Sequence, residues 1–253
     1  MSRKIQRYGW IPDVPDHRDL VFSAPQPIPV LPLSVDLRPG CPPVYNQGQL
    51  GSCTANAIGA AHQYNQMKQT KSEIFIPSRL FIYYNERVME GTINVDAGAQ
   101  IRDGIKSIAK QGVCPESEWG YDVSLFKKKP LKECYKHALD HQAILYYSVS
   151  QSLVQLKTCL ASGFPIIFGF AVYESFESQE VAKTGIAPMP AFNEKMMGGH
   201  AVTAVGYDDA TSRFLIRNSW GEGWGQKGCF TMPYDYLINS NLACDFWAIK
   251  LVE

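Results

Sequence analysis

The distribution of proline constrains this chain more than any other feature of it. Nine of the sixteen prolines fall within the first 43 of 253 residues. Each one fixes φ, removes a backbone donor and biases its predecessor away from helix. The run Ala24-Pro-Gln-Pro-Ile-Pro-Val-Leu-Pro32 is therefore expected to be extended. Residues 1–33 read as an arm laid along another part of the molecule, because Tyr8, Trp10, Ile11, Leu20 and Phe22 give it apolar surface to bury. A disordered leader is the competing reading, and it leaves those aromatics unexplained.

Beyond the arm the pattern is helical. Ala55–Tyr64 is alanine-rich, with Ser52 placed to cap it. Pro77 is expected to open a second helix through Val88, and Ile101, Ile105 and Ile108 mark a third that Gly112 should stop. The lysine run 127–129 reads as a solvated loop. After about residue 140 the period shortens, and 143–149, 165–172, 200–207, 213–217 and 228–232 are short apolar runs of strand type. Helices first and strands later predict an α+β chain of two packed halves, with a cleft between them as the place for a site.

Composition excludes several functions. At 45% hydrophobic and 19% charged residues the chain can bury a core. Twenty-four basic residues balance twenty-four acidic ones, which gives no reason to expect a nucleic-acid partner. The longest apolar run, Phe164–Val172, is too short to span a bilayer, so no membrane association is expected. The basic start 1–7 is not followed by the apolar stretch of a secretory signal. The chain also has no Asn-X-Ser/Thr glycosylation acceptor, and a cytoplasmic monomer, or one exported by a non-classical route, is expected. Seven cysteines leave at least one thiol outside any internal disulfide.

The chemistry lies in three blocks. In Asn46–Ala57 a glycine-rich loop delivers Cys53 to the first turn of a helix, where the helix dipole and unsatisfied N–H groups favour a thiolate. A lone cysteine is more often a small buried hydrophobe than a nucleophile. This one has partners. Gly198-Gly-His200 sets a histidine at the start of an apolar strand, and Arg217–Gly225 places Asn218 and Trp220 at the end of another. An amide can accept from one imidazole nitrogen and fix the tautomer while an indole keeps water away. Gln47 can offer an amide donor to an oxyanion beside the backbone N–H of Cys53.

Together these blocks resemble the papain-like cysteine proteases. The matching pieces are Gln47-Gly with Gly51-Ser-Cys53, Gly199-His-Ala-Val202 with Val205-Gly-Tyr207, and Asn218-Ser-Trp-Gly-Glu-Gly-Trp-Gly225. Ser34-Val-Asp-Leu-Arg38 is similar to the start of that family's mature enzymes. The resemblance implies a two-lobed α+β fold, with a helical lobe over about 44–140 and an antiparallel, β-barrel-like lobe over about 141–253. By it Cys53 is the nucleophile, His200 the general base and later acid, Asn218 the residue that orients it, Gln47 the oxyanion donor and Trp220 the shield. It further implies that Gly98 pairs with an extended substrate, that Gly199 and Ala201 line the substrate cleft, and that peptide or protein substrates are hydrolysed with no metal and no cofactor.

Departures from the family pattern are equally specific. Leu50 stands where family members carry a second cysteine, Thr54 replaces a tryptophan, and Val95-Asp-Ala-Gly98 replaces Cys-Asn-Gly-Gly. The disulfide that tethers the nucleophile loop is therefore absent. The arm is shorter than the family's inhibitory propeptide, and it is expected to occupy or flank the cleft, or else merely to complete a surface. The six remaining cysteines permit fifteen pairings and are expected to be mostly reduced. A catalytically silent peptide-binding protein and an acyltransferase on the same scaffold are the alternative functions.

Other groups carry weaker signals. Cys134, His137 and His141 would lie on one face of a continuous helix, but no fourth metal ligand is evident, so no metal is expected. His62 lies too far along the helix of Cys53 to serve as its base. His17 belongs to the arm. Gly223–Gly228 has the spacing of a dinucleotide loop without its strand-turn-helix context.

Overall fold

The computed structural model describes residues 8–24, 30–70 and 73–253. Most of the expected extended proline run, at 25–29, lies outside the described residues, as do residues 1–7 and 71–72. The first part of the chain supplies only two short strands, β1 (Val21–Phe22) and β2 (Ser34–Asp36). Four helices follow: α1 (Cys53–Lys68), α2 (Arg79–Glu90), α3 (Ile101–Gln111) and α4 (Lys132–Ala138). The remainder alternates β3 (Ala143–Val149), α5 (Leu153–Ala161), β4 (Ile166–Tyr173), α6 (Gln179–Thr184), β5 (Met196–Asp208), β6 (Arg213–Arg217), β7 (Cys229–Pro233), α7 (Tyr234–Ile238) and β8 (Ala243–Val252).

Helix α1 is buried from Cys53 to Gln66. A helix covered on all sides needs small residues, not one apolar stripe, and this explains its alanine content. Ser52 occupies the N-cap position but makes no capping bond; its hydroxyl meets Tyr121 Oη at 2.5 Å instead. Ser78, not Pro77, starts α2, accepting from the Phe81 N–H at 3.2 Å, and Gly91 ends that helix in the left-handed region. Gly112 terminates α3 as expected.

The strands form one sheet in the order β1-β3-β8-β4-β5-β6-β7, with β2 added to β5 opposite Gly206–Asp208. This path is open, so the barrel-like expectation reduces to a sheet that does not close among the described residues. All named pairings are antiparallel except β1 with β3, which the arm supplies. Side chains along β4 alternate with the period of two that a strand imposes. Ile167 faces the helices with Ile58, Phe81, Ile105 and Trp247, whereas Ile166, Phe168 and Phe170 enter a second core with Val202, Phe214 and Phe230. The seam between these two cores positions the site. No described helix is long and apolar enough to cross a membrane, and all seven cysteines are free thiols.

Candidate active site

Cys53 begins α1 and is completely buried. Strand β5 carries His200 beside it, and Asn218 follows the end of β6. His200 Nε2 donates to Asn218 Oδ1 at 2.9 Å, so the neutral imidazole keeps its proton on Nε2 and its basic lone pair on Nδ1. Asn218 Oδ1 also accepts from the Ser219 N–H at 2.8 Å, which fixes the carboxamide. The Trp220 indole stacks on His200 with centroids 4.9 Å apart and planes at 26°, and excludes water from the bond. Gln47 Nε2 donates to the Leu50 carbonyl at 2.9 Å, and Gln47 Oε1 accepts from Ser219 Oγ at 2.6 Å. A primary amide has two N–H donors, and one remains to face an oxyanion.

The loop that carries Gln47 and Cys53 is tied down without a disulfide. Both oxygens of Asp96 accept from the Gly51 N–H at 3.1 Å, and Oδ1 also accepts from Tyr83 Oη at 2.5 Å. A charged acceptor thus spans the gap left by Leu50 and Val95. Behind the loop, Thr54 Oγ1 donates to the fully buried Glu86 at 2.9 Å, and burial raises that carboxyl far above its usual range. Thr54, standing where the family has tryptophan, is the partner that makes this acid tolerable there.

The arm lies across the site. Gly9 O accepts from the Ala99 N–H at 2.7 Å, the Ile11 N–H donates back to Ala99 O at 3.0 Å, and the Trp10 N–H donates to Gly199 O at 3.0 Å. The Trp10 indole fills a slot against Gly169 and Gly199, where any Cβ would lie 1.9 Å and 2.6 Å from its ring atoms. Its Nε1 donates to Asp245 Oδ2 at 3.0 Å. Tyr8 packs edge-on to His200 at 5.9 Å and donates to Glu177 at 2.5 Å. The thiol faces the backbone N–H groups of Ala201, Gly9 and Thr54. The arm therefore presents the Gly9 amide hydrogen to the sulfur.

Burial under the arm reverses the charge state expected from the helix N-terminus. It pushes the Cys53 thiol up to about 12 and the His200 imidazole down to about 4. Desolvation penalises both ions, and the amides facing the sulfur offset only part of that cost. With the arm seated, the pair is a neutral thiol beside a neutral imidazole.

Most of the residues singled out in the sequence meet here: Cys53, His200, Asn218, Gln47, Trp220, Gly199 and Ala201. Gly98 is adjacent, and the arm does not pair with it. Its φ is +80° and its N–H donates to Tyr83 Oη at 3.1 Å, while Ala99 makes the ladder with the arm. His62 is buried on α1, its pKa depressed to about 3 by desolvation, and takes no part. His141 lies beyond the end of α4 against Phe75, so it does not share a helix face with Cys134 and His137. Trp10 was expected to be buried but its slot beside Gly169 and Gly199 was not foreseen, and Asp245 escaped the sequence reading. The signal available was the glycine between two aromatics at Tyr8-Gly-Trp10.

Comparison with known proteins bears on this constellation. A model of the papain family of cysteine proteases matches residues 31–245. An uncharacterized peptidase C1-like protein of Acanthamoeba polyphaga mimivirus is 43% identical, over 98% of this chain and 88% of that protein. The crystal structure of xylellain, a cysteine protease from Xylella fastidiosa, superposes with a TM-score of 0.92 at 47% identity, covering 100% of this chain and 99% of that one. Bromelain from Ananas comosus shares the fold at 21% identity and a TM-score of 0.67, over 87% of this chain and 100% of that one. With the family's blocks in order and a full-length likeness of this extent, the chain belongs to the papain family of cysteine proteases.

Proposed function

We propose that the chain hydrolyses peptide bonds through Cys53 and His200, and that the arm holds the enzyme closed. The observation that carries this reading is the His200–Asn218 bond under Trp220, set beside a cysteine at a helix N-terminus. When the arm leaves, water and substrate re-solvate the pair. The thiol proton passes to His200 Nδ1 and the sulfur attacks the scissile carbonyl carbon. The Cys53 N–H and the free Gln47 N–H receive the oxyanion. His200 then protonates the leaving amine, and a water activated by the same nitrogen cleaves the thioester. Asn218 holds the imidazole in register, and no step calls for a metal or a cofactor. Gly199 and Ala201 line the cleft, and the backbone of Ala99, next to Gly98, pairs with an extended peptide.

A neutral thiol-directed epoxide of the epoxysuccinyl class tests the assignment of Cys53. The expected product is one adduct per chain, on Cys53, absent in Cys53→Ala; intact mass and peptide mapping read it. The thiols of Cys41, Cys159 and Cys244 are pushed up to about 11, 12 and 12 by burial and should stay unmodified. Adducts elsewhere, with none on Cys53, overturn the reading.

Arm docking should depend on pH. Asp13 lies in the arm, where Asp13 Oδ1 accepts from the Arg102 N–H at 3.0 Å and Oδ2 from Trp247 Nε1 at 2.8 Å. Asp245 and Glu90 are the acids that face it and Arg102 the cation. Burial, then repulsion from Asp245, raises Asp13 from the usual carboxylate value to about 7. A raised docked-state pKa means that docking takes up a proton. The Asp13 contribution to docking is largest below about pH 4, weakens by up to about tenfold per pH unit and levels off above about 7, whereas the depressed His200 contributes with the opposite sign between about pH 4 and 6.5. Both proteins share the His200 contribution, so labelling of Cys53 in the wild type relative to Asp13→Asn should rise through that window, the variant staying docked at neutral pH and reacting more slowly there. Identical profiles would remove Asp13 from the gate.

A further inference from the structure

The cysteine–histidine pair that the active site leaves unused lies at the outer edge of the helical lobe. Cys134 and His137 sit on α4, three residues apart, and so project from one side of the helix. Opposite them, the loop after α3 brings Cys114 and Glu118. Reactive atoms of Cys114, Glu118 and Cys134 all lie within 4.8 Å of one another. His137 Nδ1 is 2.9 Å from Glu118 Oε1, so its imidazole stands beside the carboxylate, outside the group those three atoms form. Both sulfurs are buried, whereas the carboxylate and imidazole reach solvent. The group is thus closed on its soft side and open on its hard side, which gives an ion a path of entry.

We propose that Cys114, Cys134, Glu118 and His137 form a binding site for a thiophilic divalent cation, of which Zn²⁺ is the best match. Two thiolates, one carboxylate and one imidazole are an ordinary zinc donor set, at ~2.3 Å for sulfur and ~2.0–2.2 Å for nitrogen and oxygen. A tetrahedron with those bonds has edges of roughly 3.3–3.8 Å, so the two sulfurs and the carboxylate close by about 1 Å on binding, and the exposed His137 ring swings in to complete the set. The ion would clamp α4 to the loop that runs on to Tyr121, whose hydroxyl donates to Gln47 O at 3.0 Å. The clamp therefore ends on the residue assigned to the oxyanion.

The test uses the full chain carrying Cys53→Ala, reduced and stripped with chelator, and titrated with Co²⁺ and then Zn²⁺. The expected result is one Co²⁺ per chain, with thiolate-to-cobalt charge-transfer absorption and tetrahedral d–d bands, displaced by one equivalent of Zn²⁺. His137→Ala and Glu118→Gln, at accessible positions that leave the core intact, should each weaken Zn²⁺ binding by at least ~10-fold. Cys114→Ser should reduce the charge-transfer absorption. The proposal fails if no charge-transfer band appears, or if the band survives in the Cys114→Ser, Cys134→Ser double variant. Peptide mapping that finds Cys114 joined to Cys134 as a disulfide in protein isolated without oxidant would equally overturn it.

Discussion

Exchange of Cys53 for alanine lowers kcat/KM for peptide hydrolysis by at least about 10⁴-fold, and adding His200→Ala removes little more. The reason is that the two side chains carry out one act. Sulfur is a competent nucleophile only while the imidazole holds its proton, and the imidazole has nothing to activate once the sulfur is gone. Their separate losses should therefore overlap and not multiply. Any residual rate would come from the oxyanion donors and substrate positioning. Both variants leave small cavities in otherwise intact surroundings, so thermal melts can verify that they fold. Steady-state kinetics of the two single variants and the double variant decide the matter. Multiplicative losses would mean that His200 is not the proton partner of Cys53, and Asn218 would lose its proposed role with it.

Gly9→Val in the full-length protein should raise the rate of Cys53 labelling and of peptide hydrolysis by at least about tenfold at neutral pH. A Cβ at position 9 would stand 1.7 Å from the Gly51 carbonyl oxygen. That neighbour is backbone, in a loop pinned by Asp96, and it cannot swing aside as a side chain would. The arm must leave, and each 1.4 kcal/mol lost from its docking opens the cleft about tenfold more often. Trp10→Ala approaches the same end by another route, removing the indole and its bond to Asp245. It should also lower the melting temperature, because Trp10 belongs to the core of the helical lobe. Unchanged or slower labelling in both variants would show that the arm does not guard the thiol.

The residues proposed to react were legible in the sequence because their identities answer to chemistry. A nucleophile, a base, an orienting amide and a shielding indole admit few substitutes, and Cys53, His200, Asn218 and Trp220 meet as their order and context implied. The change from helical to strand period was legible for a similar reason, since burial on one or both faces leaves its mark on every few residues. Contacts made through backbone atoms were less visible. Ala99, not Gly98, pairs with the arm, and nothing in an alanine's identity announces that its N–H and C=O are in use. Ser52 shows the same limit: a good capping residue in the capping position is drawn to Tyr121 instead. The arm's seat was half visible. Its aromatics indicated burial, but the carboxylate that Trp10 finds lies 235 positions away on β8.

The slot around Trp10 has a consequence for how such a sequence can drift. Gly169 and Gly199 are kept free of side chains by the arm's ring as much as by any visiting peptide. A methyl group gained at either position would disturb the closed form at once, whatever it did to turnover. Enlargement of the slot would need a bulkier arm residue, and contraction a smaller one. Arm and cleft wall are thus bound to change as a pair, and their residues should covary across relatives even where the reacting groups stay constant.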